Sequence, residues 1–286
     1  METTDSTLQL DVIGCANGYA GRELGCEKAA DTIKNSKFLE NFGLNIKWRA
    51  IVEEHPTGRH LEAIPAVNKT SSDLAEETSK IVNECKNFAV VGGDHSCAIG
   101  TWSGIAHGLR SKGDIGIIWV DAHLDAHTPE SSETGNLHGM SAAHLLGFGD
   151  KGLCRIGDEA VKVLPQNLTY IGIRSYEPPE RKLLESLGVR IFYIEEVDKR
   201  GIYACLTEAI EHVSKNTIGF GLSIDIDGFR VIDAPAVGTP VDGGIIAAEF
   251  LESVKKQDLS NLITAEIVEF LPRFDDANKT RQVKGF

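Results

Sequence analysis

The chain has 286 residues, of which 42% are hydrophobic and 25% are charged, and this is the composition of an ordinary globular protein. Its formal net charge of -13 argues against nucleic acid and anionic membranes as partners, because an acidic surface repels both. No apolar run approaches the length of a membrane span, and the polar start at residues 1–7 lacks the features of a signal peptide.

Short apolar runs rich in Val and Ile recur along the chain and predict strands. In order they are residues 8–15, 46–52, 88–91, 115–120, 168–173, 189–194, 218–226 and 262–270. Nearly continuous apolar strands are typical of a parallel sheet that is buried on both faces.

Amphipathic segments between these runs predict helices at residues 71–85, 202–213 and 247–256. The first begins with Ser71, Ser72 and Asp73, which favour a helix N-cap. Residues 129–137 and 147–159 are predicted to be irregular. The alternation of strands and helices predicts a parallel α/β fold, and without a linker or repeat we expect a single domain over residues 1–286.

The cysteines are scattered and none forms a C-x-x-C pair; they are Cys15, Cys26, Cys85, Cys97, Cys154 and Cys205. In a chain of this length they indicate reduced thiols rather than a disulfide framework or a zinc cluster. The expected location is therefore the cytoplasm.

Polar groups follow several of the predicted strands directly. The segments are GGDHS at 92–96, DAHLD at 121–125, SIDIDG at 223–228 and EIVE at 266–269. Open α/β sheets bind their ligands beyond the carboxyl ends of the strands. These segments are therefore the first place to look for a functional site.

The spacing within these segments predicts a metal site. Asp121, His123 and Asp125 share one face if the strand stays extended, whereas a loop would change this, and Asp225 and Asp227 form a second such pair. Each motif alone is also typical of a turn or a helix cap. Together, however, they gather four carboxylates, which is costly unless cations neutralise them. Carboxylate and imidazole ligands suit Mn²⁺, and two bridged ions about 3.5–4 Å apart can hold a hydroxide.

The three motifs at 92–96, 121–125 and 223–227 resemble the signatures of the arginase/agmatinase (ureohydrolase) family, in the family's order and with similar separations. The resemblance runs from residues 13–14 to the tail at 271–280. It implies a three-layer α-β-α sandwich with a mostly parallel, roughly eight-stranded sheet.

The resemblance also implies two Mn²⁺ ions per subunit. One ion would be held by His95, Asp121, Asp125 and Asp225, and the other by Asp121, His123, Asp225 and Asp227. Asp121 and Asp225 would bridge the ions, and Asp125 would also orient the bridging hydroxide.

The loop at 126–140 ends in TGNLHGM and resembles arginases more than agmatinases. By this resemblance His138 would pass a proton to the leaving amine, a role that suits the near-neutral pKa of histidine, and Glu269 would bind the guanidinium group. The residues implied to contact the rest of the substrate are His127, Ser132, Thr134, Asn136, Glu177, Glu180 and Thr239.

Two departures from the family pattern leave the substrate open. His127 stands where arginases typically have Asn, and the family's Leu-Asp-Pro after Asp227-Gly228 is replaced by Phe229, Arg230 and Val231. All the implied metal ligands are present.

The expected reaction is hydrolysis of L-arginine to L-ornithine and urea by attack of a metal-bound hydroxide. The alternatives are another ureohydrolase (an agmatinase, a guanidino-acid hydrolase or a formiminoglutamase) and a metal-bound regulator without activity. The related single-zinc deacetylases lack this double-Asp set. The resemblance also implies a small guanidino substrate and a homo-oligomer, commonly a trimer or hexamer.

Overall fold

The computed structural model describes residues 9–39, 43–84 and 87–275. The strands are β1 Gln9–Ala16, β2 Asn45–Glu53, β3 Phe88–Val91, β4 Gly116–Val120, β5 Leu168–Ile173, β6 Arg190–Tyr193, β7 Phe220–Asp225 and β8 Leu262–Val268. The α-helices are α1 Ala29–Lys34, α2 Ile64–Glu84, α3 Cys97–Leu109, α4 Ser141–Leu145, α5 Lys151–Cys154, α6 Pro178–Ser186, α7 Ile194–Arg200, α8 Ile202–Ser214 and α9 Ala247–Val254. Short 3-10 turns include Leu137–Met140 and Ile226–Gly228.

The eight strands form one sheet in the order β2-β1-β3-β8-β7-β4-β5-β6, and every pairing is parallel. This confirms the predicted parallel α/β architecture. Strands β3, β8, β7 and β4 lie side by side at the centre, so their carboxyl ends meet at one edge. The polar groups that follow these four strands are thereby brought together.

Helices cover both faces of the sheet, and the side chains of β4 show why its sequence is apolar throughout. Ile117 and Trp119 pack into a core shared with α2 and α3, whereas Ile118 and Val120 pack into a second core shared with α7, α8 and α9. A strand buried on both faces has no solvent side and hence no polar alternation. The three-layer α-β-α arrangement predicted from the family resemblance is confirmed.

The predicted N-cap at Ser71 is wrong, because α2 begins at Ile64 and places Ser71 in its interior. Pro65 is the second residue of this helix, a position where the missing N–H costs nothing. Ser71 is buried where α2 crosses α3, and a Cβ added at Gly100 would lie 2.7 Å from the Ser71 carbonyl oxygen. The small residue therefore serves close helix packing rather than capping.

Other predicted boundaries shift by a few residues. The 189–194 strand ends at Tyr193 because Ile194 begins α7, and the 218–226 strand covers only Phe220–Asp225. The segment 147–159 contains α5, whose N-cap Asp150 accepts a hydrogen bond from the Leu153 amide. The segment at 129–137 is a loop of turns and bends, as predicted, apart from Leu137, which begins the 3-10 turn.

Some predictions lie outside the described residues: the start at 1–7, Leu8, Cys85 and the tail at 278–280. The other five cysteines are free thiols, as predicted. Within the described ranges, no helix combines the length and apolarity needed to cross a membrane.

Candidate metal centre

Histidine and aspartate side chains from three of the central strands converge at the carboxyl edge of the sheet. Nδ1 of His95, after β3, lies 3.2 Å from Oδ2 of Asp121, 3.0 Å from Oδ2 of Asp125 and 3.4 Å from Oδ2 of Asp225. All four side chains are buried. The buried Nδ1 nonetheless has no hydrogen-bond partner. An orphaned ring nitrogen facing three carboxylates fits a cation between them.

A second group shares Asp121 with the first. Nδ1 of His123 lies 3.5 Å from Oδ1 of Asp121 and 3.1 Å from Oδ2 of Asp227. Thr239 donates a hydrogen bond of 3.0 Å to the same Asp227 oxygen, and the Asp227 amide donates to Asp225. The potential ligand atoms of Asp121, His123 and Asp227 lie within 4.8 Å of one another. The same holds for those of His95, Asp121 and Asp225. Two adjacent cation sites with a common carboxylate are therefore compatible with this geometry.

The strand does not stay extended over residues 121–125, so the loop alternative holds, and the residues nonetheless converge. β4 ends at Val120, and Asp125 lies in a loop with φ 47°, a left-handed conformation that is costly outside glycine. Glu269 after β8 has φ 65°. The turn at Asp125, not strand alternation, brings its carboxylate to His95.

The acidic groups perturb one another strongly. Burial and the charges of Asp227 and Asp121 raise the pKa of Asp225 well above its usual value, and burial with the charge of Asp121 raises the pKa of Asp125 to about 6. Burial opposes the ionisation of Asp121, but the neighbouring side chains of His123 and His95 lower its pKa overall. Neighbouring carboxylates oppose each other's ionisation, and a divalent cation between them would stabilise their ionised forms.

A polar chain behind His95 was not among the predicted site residues. Its Nε2 shares a 3.0 Å hydrogen bond with Oγ of Ser223, which donates to Glu266 at 2.6 Å, and Trp102 also donates to Glu266. Trp119 stacks on the imidazole at 4.2 Å between centroids and donates to Asp121. The one available signal was a glutamate inside the apolar run of β8.

His138, which is half-buried, and the buried Glu269 form a pair beside the aspartates. Nδ1 of His138 donates to Oε1 of Glu269 at 3.0 Å, and the same oxygen accepts the His95 amide at 2.8 Å. Burial lowers the pKa of His138, but the Glu269 carboxylate raises it to about 9. The imidazole is therefore a proton donor at neutral pH.

A cavity of about 240 Å³ opens above this centre. All seven residues predicted to contact the substrate line it, namely His127, Ser132, Thr134, Asn136, Glu177, Glu180 and Thr239. His123, Asp125, His138 and Asp225 form part of the same wall. The remaining predicted residues lie behind the described lining; they are His95, Asp121, Asp227 and Glu269.

The atypical His127 does not stand alone in this wall. Its Nε2 lies 3.0 Å from Oε2 of Glu177 and 3.4 Å from Oε2 of Glu180, and its Nδ1 lies 3.1 Å from Oγ of Ser131. Both glutamates belong to the capping box at the start of α6. One side of the cavity entrance is therefore lined by a compact group of one imidazole and two carboxylates.

The second departure, at 229–231, leaves the backbone beside the metal centre well held. Arg174 donates to the carbonyl oxygens of Asp227 at 2.8 Å and Gly228 at 3.2 Å. Arg230 turns away and pairs with Asp233 at 2.9 Å. Arg174 therefore holds the backbone of the predicted ligand Asp227 in place.

Comparison with known proteins gives consistent matches over most of the chain. A family model described as "Arginase: Arginase family" matches residues 10–284. An arginase from Bacillus caldovelox is 39% identical over 224 residues, covering 78% of this chain and 74% of the relative. An arginase from Brevibacillus brevis is 39% identical over 254 residues, covering 86% and 83%. The native crystal structure of the Bacillus caldovelox arginase superposes with a TM-score of 0.88 at 32% identity, covering 97% of this chain and 95% of that one.

Proposed function

The chain belongs to the arginase family of hydrolases, and on this premise we propose that it converts L-arginine to L-ornithine and urea. The observation that carries the proposal is the convergence of His95, Asp121 and Asp225 beneath a cavity whose wall includes His138. The substrate would be a small guanidino compound, since the cavity of about 240 Å³ suits a ligand of that size.

We propose two Mn²⁺ ions as the cofactor. His95, Asp121, Asp125 and Asp225 would hold one ion, and Asp121, His123, Asp225 and Asp227 the other. The support is the hard oxygen donor set with one imidazole per ion. When bound, such a pair supplies Lewis acidity and lowers the pKa of a bound water, so that a nucleophile exists at neutral pH.

The protein's own groups would bind the guanidinium and move the proton. Glu269 uses Oε1 for His138 and the His95 amide, whereas within the described ranges Oε2 meets a weak thiol donor alone, Cys26 at 3.7 Å. A guanidinium donating to that free side would gain a charge-assisted hydrogen bond. His138 carries a proton at neutral pH and borders the cavity, so it would protonate the departing nitrogen.

The amino-acid end of the substrate would lie at the outer part of the cavity. Ser132, Thr134 and Asn136 offer hydroxyl and amide donors to a carboxylate. Glu177 and Glu180 offer negative charge to an ammonium group, on the side where His127 lies. Thr239 would line the inner wall next to Asp227.

The test is product identification with the Mn²⁺-loaded protein and a panel of arginine, agmatine, guanidinobutyrate and formiminoglutamate. We expect urea from arginine, and a His138→Asn variant should keep its metals while kcat falls by about 10²–10⁴-fold, the usual contribution of a positioned acid. Turnover of another compound but not arginine would move the activity to a sister ureohydrolase. Two bound metals without turnover of any compound would indicate a regulator.

We also propose a cytoplasmic homo-oligomer, a trimer or hexamer. The free cysteines support a reducing compartment. Light scattering of the purified protein tests the oligomeric state.

A further inference from the structure

The mouth of the cavity holds a third group of potential metal ligands, separate from the two at the sheet edge. Its donors are Nε2 of His127 and one carboxylate oxygen each of Glu177 and Glu180, all within 4.8 Å of one another. The group contains none of the six residues assigned above to the manganese pair.

The distances within this group match those between ligands of one metal ion. Ligands about 2.1 Å from an ion stand about 3.4 Å apart in a tetrahedron and about 3.0 Å apart in an octahedron. His127 lies 3.0 Å from Glu177 and 3.4 Å from Glu180. The separations of 3.0–3.5 Å around His95 and His123 fall in the same range.

The side chains are also held in place for binding. Glu180 is 3% exposed and His127 is 13% exposed, and Glu180 is fixed by the amides of Ala126 and Glu177. Ser131 occupies the other ring nitrogen of His127 at 3.1 Å. A partner on the far nitrogen orients the ring of most metal-binding histidines, and it leaves Nε2 directed at the two glutamates.

Solvent can reach this group, because Glu177 is 65% exposed and all three residues border the cavity. An imidazole with two carboxylates is a ligand set that Zn²⁺ accepts, with water in the fourth position. We propose that His127, Glu177 and Glu180 form a third cation site that takes Zn²⁺ and blocks the substrate's amino end. The blocking part of this inference depends on the proposed function, whereas the binding part does not.

The direct test counts metals. The Mn²⁺-loaded protein is equilibrated with Zn²⁺, desalted and analysed for both metals by mass spectrometry, in parallel with His127→Asn and Glu177→Gln. We expect a total of three ions per chain in the parent and two in each variant. Glu177→Gln separates loss of metal binding from loss of folding, because it alters an exposed side chain and keeps an oxygen for the capping box.

The matched control is His107→Asn. His107 is an exposed histidine paired with the carboxylate of Asp158 at 3.3 Å, and no second carboxylate converges on it among the residues that the structure describes. This variant should still bind three ions. An equal total in the parent and His127→Asn, or an equal loss in His107→Asn, overturns the proposal. A total below two in His127→Asn would instead count against the manganese pair, so the two failures differ.

Kinetics give a second readout on the same proteins. Zn²⁺ should inhibit urea release competitively with arginine, and Glu177→Gln should raise the inhibition constant at least about tenfold, since losing even a residue that orients a metal ligand typically costs about 10–100-fold in affinity. Inhibition that is noncompetitive or unchanged in Glu177→Gln overturns the blocking role.

Discussion

At the scale of single residues, the candidate site depends on pairs in which one side chain sets the protonation or the orientation of another. Glu269 and His138 are the clearest case, since burial alone disfavours a charged imidazole and the carboxylate 3.0 Å away reverses that preference. Ser223 and Glu266 act similarly on the orientation of His95. Each pair yields a separate measurement.

Neutralising Glu269 should lower the pKa of His138. In Glu269→Gln the largest raising cause is gone, whereas burial and the weaker raising charges of Asp125 and Asp94 remain, so the pKa should fall below about 9. NMR titration of the histidine ring protons in metal-free protein checks this, with His138→Asn assigning the signal. A pKa that stays near its starting value would show that Glu269 does not control the imidazole.

Removing the Ser223 hydroxyl should weaken metal binding. Ser223→Ala breaks the link from Glu266 to His95, and loss of such an orienting partner typically costs about 10–100-fold in metal affinity. Competition with a metal-sensitive chelator measures the affinity. Ser253→Ala is the matched control, since that hydroxyl is also buried but only bonds Glu249 within α9. Equal affinities in the two variants would contradict the expected role.

At the scale of elements, α2 packs closely against α3. A Cβ added at Gly104 of α3 would stand 2.1 Å from Oγ1 of Thr78 and 2.2 Å from the Ala75 carbonyl oxygen. Backbone so close cannot yield as a flexible side chain could. Glycine here permits helix contact, and its low helix propensity is outweighed by that contact.

Gly104→Ala should therefore destabilise the fold, by about 1–3 kcal/mol or more, despite the better helix propensity of alanine. Gly152→Ala in α5 is the control, because its Cβ would meet only the side-chain ends of Asn68 and Asp150 at 3.0 Å, and we expect a change within about 0.5 kcal/mol. Urea unfolding measures both. Comparable stability of the two variants would argue against close packing at Gly104.

Strand positions could be predicted from the sequence better than helix starts or site geometry. The runs at 88–91 and 168–173 have the boundaries of β3 and β5, because buried parallel strands exclude polar residues. The helix start predicted at Ser71 was wrong because small polar residues occur both at helix N-caps and where two helices pack closely. The turn at Asp125 and the contact of Ser223 with Glu266 depend on tertiary packing, which local pattern does not encode.

At the scale of the whole molecule, several buried groups hold protons in the folded chain that the unfolded chain would release. Burial and the Asp94 charge raise the pKa of Glu54 to about 7, and burial and a hydrogen bond with Glu177 raise that of Glu180 to about 8. For His138, at about 9, the Glu269 charge outweighs burial. Folded pKa values above the unfolded ones give stability that is present at low pH and lost as the pH rises.

The metal-free protein should therefore become less stable between about pH 5 and pH 9, by an amount on the order of a few kcal/mol. Urea unfolding in the presence of a chelator measures this. Asp158, whose pKa is lowered to about 2 with Lys162 and Arg110 outweighing burial, acts in the opposite sense but only below about pH 4. A free energy of unfolding that rises steadily across the range would contradict the prediction.

The position of β8 carries a consequence for how the chain is made. Among the described residues β8 is the last strand in sequence, yet it lies between β3 and β7. It joins two sets of strands, β2-β1-β3 and β7-β4-β5-β6, that are not hydrogen-bonded to each other in the sheet. While β8 is still within the ribosome, each set of strands exposes an unpaired edge strand, β3 or β7, which can aggregate with other nascent chains. We expect chaperone dependence to be concentrated in the stage of translation before β8 emerges, and a stop codon just upstream of β8 to yield aggregates rather than a smaller folded enzyme.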